Sequence, residues 1–183
     1  EYSVMGKTVL IVASSPRKNG NSETLAEAFA KGAREAGHSV ETVHLREKQI
    51  GFCNGCLACL KLGRCVIQDD AAEIVDKMHD TDVLAFATPV YYYSICGQLK
   101  TMLDRANPLF GSDCAFAKAY LLATAAENET ATFDGTKMAV QGWVDCFPRC
   151  TLAGTVFAGG VSGVGEIGGH PALEQARQMG VGI

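Results

Sequence analysis

Four of the chain's eight cysteines, Cys53, Cys56, Cys59 and Cys65, crowd into thirteen residues. Their spacing, C-x2-C-x2-C-x5-C, lets four soft thiolates converge on one point, as a compact [4Fe–4S] cluster requires. Structural zinc usually draws on two cysteine pairs set further apart, so it fits this spacing less well. Free thiols or a labile disulfide are the remaining reading. Val66 follows the fourth cysteine where a bacterial ferredoxin run has proline, so a ferredoxin fold is not implied. Cys96, Cys114, Cys146 and Cys150 are scattered, and each is expected to be a buried small hydrophobe.

Two further segments carry chemistry of another kind. Ser14-Ser15-Pro16-Arg17-Lys18-Asn19-Gly20-Asn21-Ser22 has neither the G-x-G-x-x-G nor the G-x-x-x-x-G-K-[ST] pattern. It offers hydroxyls, Gly20, two cations and the free N–H groups that open a helix. Those groups suit a phosphate monoester, and a capped turn with Asn21 or Ser22 as N-cap is the plainer alternative. Thr88-Pro89-Val90-Tyr91-Tyr92-Tyr93-Ser94 places three tyrosines in a row. Adjacent side chains diverge, so all three cannot enter a core. An aromatic wall with backbone N–H and C=O groups at its edge would suit a flat heteroaromatic ligand. Packing against the next helix or a second subunit would also account for it.

Something must hold these segments together, and the hydrophobic pattern shows what. Continuous β-branched and apolar runs predict strands at 7–13, 82–88, 119–126 and 152–158, and an alternating one at 39–45. Helical spacing predicts helices at 22–36, 70–79, 98–107, 136–146 and 171–179, the last opening on Pro171. Five strands alternating with helices imply a parallel sheet covered on both faces, a three-layer α/β sandwich. A ligand then belongs outside the carboxyl ends of the strands, where the strand order reverses. The two loops above leave the first and third strands at that edge. The cysteines fall in an insertion at 51–67.

Ser15-Pro16-Arg17-Lys18-Asn19-Gly20-Asn21-Ser22, Thr88-Pro89-Val90-Tyr91-Tyr92 and Leu99-Lys100-x-x-x-Asp104-Arg105 together resemble the NADPH-dependent FMN reductase family of flavodoxin-like proteins. The resemblance runs from Lys7 to the last helix. It implies one flavodoxin-like domain over 5–183, with five parallel strands in the order 2-1-3-4-5. It further implies that FMN is bound, with Ser15, Arg17, Gly20, Asn21 and Ser22 around its phosphate. Pro89, Val90, Tyr91 and Tyr92 would line the isoalloxazine ring, flanked from the other side by the fourth strand's exit at Thr124 and Ala125. Lys100, Asp104 and Arg105 are read as an ion pair at a helix end. The cysteine segment, with Val66-Ile67-Gln68-Asp69-Asp70 after it, resembles the iron–sulfur flavoprotein branch, in which Cys53, Cys56, Cys59 and Cys65 would hold a [4Fe–4S] cluster.

The expected function is FMN-dependent oxidoreduction, with electrons from NAD(P)H or a reduced carrier passing to a small acceptor, a quinone or the cluster. The alternative is a non-catalytic electron carrier, FMN plus cluster, acting between protein partners. A homo-oligomer, dimer or tetramer, is the family's habit. A formal charge of −4 gives no basic field for nucleic acid or anionic lipid, and no apolar run is long enough to span a bilayer. Eight cysteines behind an opening unlike a signal peptide are read as reduced thiols in the cytoplasm.

Overall fold

The computed structural model describes residues 6–183; Met5, the expected start of the domain, lies outside the described residues. The five parallel strands are β1 (Thr8–Ala13), β2 (Ser39–His44), β3 (Val83–Tyr91), β5 (Lys118–Thr124) and β6 (Thr151–Ala158). They lie in the order β2-β1-β3-β5-β6, which is the flavodoxin-like order expected. A two-residue strand, β4 (Ser94–Ile95), pairs antiparallel with the end of β3 and adds a sixth that the sequence pattern did not reveal.

The sheet's interior runs are buried because helices cover both faces. On one face α1 (Asn21–Glu35) and α6 (Pro171–Val181) pack over Val9, Ile11, Ala85 and Leu122. On the other, α3 (Ala71–Asp80), α4 (Gly97–Arg105) and α5 (Asp134–Val144) cover Leu10, Val12, Phe86 and Leu121. On this face Trp143 packs on Phe116 and Phe147 and meets the Phe86 ring edge-on with centroids 5.5 Å apart. A short helix, α2 (Cys59–Leu62), lies within the cysteine insertion between β2 and α3.

Strand order reverses between β1 and β3, whose ends are register partners at Ala13 and Ala87. The loops leaving those strands are tied to each other. The Ser14 N–H and Oγ both donate to the Ala87 carbonyl, at 2.9 and 2.7 Å.

Candidate functional site

The loop from β1 to α1 is built to present a helix N-terminus. The Ser15 hydroxyl accepts from the Arg17 N–H at 3.2 Å and donates to the Arg17 carbonyl at 3.0 Å, closing a tight turn. Gly20 seals it, since a Cβ there would stand 2.5 Å from Ser15 Oγ. Gly20 is also the N-cap, so no side chain caps α1, and neither Asn21 nor Ser22 takes that place. The first-turn N–H groups therefore remain available to an outside acceptor. Arg17 is exposed beside this opening, close enough to Glu166 to help hold its carboxyl below the usual range, after the backbone donors Ser162 and Gly163.

The Asn21 side chain is held within the fold. Its amide donates to the Gly163 carbonyl at 2.9 Å and accepts from the Ile167 N–H at 3.2 Å. The side chain thus ties the loop after β6 to α1. Ser15 likewise is engaged in its own turn. Ser22, 2% exposed, lies on the helix's first turn, and Arg17 stands exposed on the loop before it.

Beyond Thr88 the chain continues as strand rather than loop. Pro89 pairs in register with Thr124 of β5, and Val90 and Tyr91 pair with Ile95 and Ser94. Tyr92 and Tyr93 form the two-residue turn, with φ of 48° and 62°. Both are left-handed, the pattern of a type I′ hairpin, which favours Asn-Gly. A non-glycine residue held there costs about 1–2 kcal/mol. Tyr93 is anchored, donating its hydroxyl to Glu127 at 3.1 Å, and its carbonyl approaches Gly135, where a Cβ would stand 2.1 Å away. Tyr92 is 100% exposed at the tip. Strain of this kind concentrates at functional sites. Tyr92→Asn should raise stability by about 1 kcal/mol, read from the urea midpoint. A variant no more stable than wild type would show the turn to be unstrained.

Thr124 and Ala125 are buried at the neighbouring strand end, where Ala125 N–H donates to Ala158 and its carbonyl accepts from Val161. Ser22, Arg17, Pro89 and Thr124 thus belong to one edge of the sheet.

The cysteine insertion forms a second centre. Cys53, Cys56, Cys59 and Cys65 line one cavity of about 400 Å³, together with Asn107, Phe110, Trp143 and Cys146. Gly55 N–H lies 3.5 Å from Cys53 Sγ, and Asn107 Nδ2 donates to Cys59 Sγ at 3.0 Å. Among the described residues no three such donors stand at metal-holding distance, so the thiols share a cavity rather than a point. An all-sulfur donor set with N–H groups aimed at the sulfurs suits an iron–sulfur cluster. Cys96, Cys114 and Cys150 are buried as expected, whereas Cys146 is exposed and joins the cavity. Burial pushes the Cys150 thiol up to about 11, which keeps it inert.

Asp69 and Arg105 hold the neck of this insertion. Arg105, whose side chain is 0% exposed, grips Asp69 through both terminal nitrogens at 2.6 and 2.9 Å. The same nitrogens donate to the Gly51 and Ile67 carbonyls at the two ends of the insertion. Asp69 in turn accepts from the Gly51 and Ala71 N–H groups. Lys100 and Asp104 do pair, at 2.6 Å on the exposed face of α4, but Arg105 is not part of that pair.

The sequence pattern of the NADPH-dependent FMN reductase family matches residues 7–183. The chain belongs to that family. Within it, the chain is similar to an iron–sulfur flavoprotein of Archaeoglobus fulgidus, 39% identical over 97 residues, covering 53% of this chain and 44% of the relative. It is 36% identical over 101 residues to an iron–sulfur flavoprotein of Methanocaldococcus jannaschii, covering 55% and 52%. The chain thus spans about half the length of these curated relatives. The NAD(P)H:quinone oxidoreductase of Methanothermobacter marburgensis superposes with a TM-score of 0.76 at 22% identity, covering 96% of this chain and 95% of that one. At that identity the likeness shows the fold of this family member, not its substrate.

Proposed function

We propose that the chain is an FMN-dependent oxidoreductase that takes electrons from NAD(P)H or a reduced carrier and passes them to a small acceptor or to a cluster. The observation that carries this is the uncapped N-terminus of α1 at the sheet's reversal point, in a chain of the FMN reductase family. Bound FMN would supply hydride and single-electron chemistry. Around it, the first-turn N–H groups, Ser22 and Arg17 hold a phosphate dianion in a helix's positive end. The strand end at Pro89–Tyr91 orients a flat ring and excludes water from one side.

Heat release and chromatography of the bound flavin test the reading; FAD, or no flavin after reconstitution, would overturn it. Ser22→Ala and Arg17→Ala should each weaken FMN by about 1.5–3 kcal/mol, the worth of a hydrogen bond to a charged group. Riboflavin, which lacks the phosphate, should lose much less. Equal losses for both ligands would make the loop merely structural.

The second reading, an electron carrier working between protein partners, is favoured by the four cysteines on one cavity and by the relatives' name, iron–sulfur flavoprotein. In the second reading Cys53, Cys56, Cys59 and Cys65 hold a [4Fe–4S] cluster, which in the first is one of the alternative acceptors. Both also place the chain in a reducing, cytoplasmic setting as a homo-oligomer. Stopped-flow reduction by NADPH against reduction by ferredoxin separates them.

A further inference from the structure

We infer that the Asp69–Arg105 pair sets the reduction potential of the cluster held by the cysteine insertion, Arg105 raising it and Asp69 offsetting that charge. The inference rests on the cluster reading above and goes beyond it, because it assigns a task to two residues outside the cysteine motif.

Four of the five guanidinium N–H groups are engaged by Asp69, Gly51 and Ile67. The fifth, on Nε, is buried without a partner among the described residues. Such a donor is costly to leave unmade. Cys65 and Arg105 line the same cavity, and Arg105 Nη2 donates to the Ile67 carbonyl two positions after Cys65. A thiolate sulfur at Cys65 would give the orphan donor its acceptor.

The fixed positive charge, on a side chain that is 0% exposed, then lies at the wall of the cavity that one ligand of the cluster shares. Reduction adds one negative charge there, and a neighbouring cation favours the charged product. Net charge and hydrogen bonds to sulfur are the terms by which proteins tune such potentials. Asp69 carries the opposite charge on the same fork and works against it. Both residues therefore act through Cys65 as positioning residues, and neither is catalytic.

The two members should shift the potential in opposite directions. A structural clamp would instead make both substitutions act alike. The test uses full-length protein reconstituted anaerobically with ferrous iron and sulfide, titrated with dithionite and followed by electron paramagnetic resonance. At a fixed potential, Arg105→Gln should lower the ratio of reduced to oxidised cluster about tenfold, which is about 59 mV for a one-electron couple. Asp69→Asn should raise that ratio by a similar factor. Should Arg105→Gln fail to fold, Arg105→Lys keeps the charge while losing Nε and the fork, and should hold the potential nearer to wild type than Asp69→Asn does. Iron-loaded variants with equal midpoints, or with shifts of one sign, would overturn the inference. So would loss of iron from Asp69→Asn and Arg105→Lys alike, which would make the pair a clamp only. A wild-type chain that takes up no iron would instead remove the cluster reading itself.

Discussion

Cys56→Ser should empty the insertion of iron. Anaerobically reconstituted wild type is expected to hold about four iron and four sulfide per chain, and the variant close to none. Cys56 sits on the exposed turn between Cys53 and Cys59, its N–H bonded to Asn54 Oδ1 at 3.2 Å. No core contact is lost by the change, so the apoprotein's stability should move by less than about 0.5 kcal/mol. What is lost is a soft anionic ligand, replaced by a hydroxyl that ionises poorly. Cys96→Ser and Cys114→Ser should leave the iron count unchanged, because both thiols are buried away from the cavity. Cys146→Ser is the informative neighbour, since Cys146 lines the cavity outside the compact motif. Iron and sulfide analysis with electron paramagnetic resonance reads all of these. Iron retained in full by Cys56→Ser would show that the ligand set is wrong, and iron lost from Cys146→Ser would show a fifth thiol taking part. FMN content should be the same in every case, since the residues proposed to bind it lie at the sheet edge.

Much of this was legible because it is written in local pattern. Buried parallel strands read as unbroken apolar runs, and Gly37 and Pro171 mark helix ends, so five strands and their order came through. The β4 hairpin did not, because Tyr92 and Tyr93 are poor residues for a left-handed turn, and nothing in their types announces one. Asn21 reads as a cap or a phosphate ligand by type. Its actual partners, Gly163 and Ile167, stand more than 140 positions away, beyond the reach of any local signal. Cys146 was misread as core for the same reason: it comes to the cavity on α5's trailing turn, which only the packing of Trp143 and Phe147 places there. Arg105 drew attention as part of Leu99-Lys100-x-x-x-Asp104-Arg105, but its partner is Asp69 rather than the adjacent acid. A helix neighbour one position away faces elsewhere, and a residue across the insertion's neck faces it.

That neck makes the largest stability prediction. Arg105→Ala should cost the fold about 3–5 kcal/mol, the range for breaking a buried ion pair by removing one partner. Asp69 would keep its carboxylate without its main counter-charge, and the Gly51 and Ile67 carbonyls would lose their donors. The effect carries a pH signature whose sign follows from Asp69. Hydrogen bonding from Arg105 first, and from the Gly51 and Ala71 N–H groups, holds its carboxyl below the ordinary value against the opposing effect of burial. A carboxyl depressed in the folded state contributes stability above its unfolded pKa, about 3.9, and loses it as pH falls through the folded value. The gap between wild type and Arg105→Ala should therefore be full from about pH 5 upward and narrow below about pH 4. Urea unfolding at fixed, saturating FMN, repeated from neutral to acid pH, measures it. Proteolysis within 51–67 should quicken in the variant at neutral pH, because both ends of the insertion are then untied. A gap that stays constant into acid would mean that the loss comes from the cavity left by the side chain, and that the ion pair adds nothing to the fold.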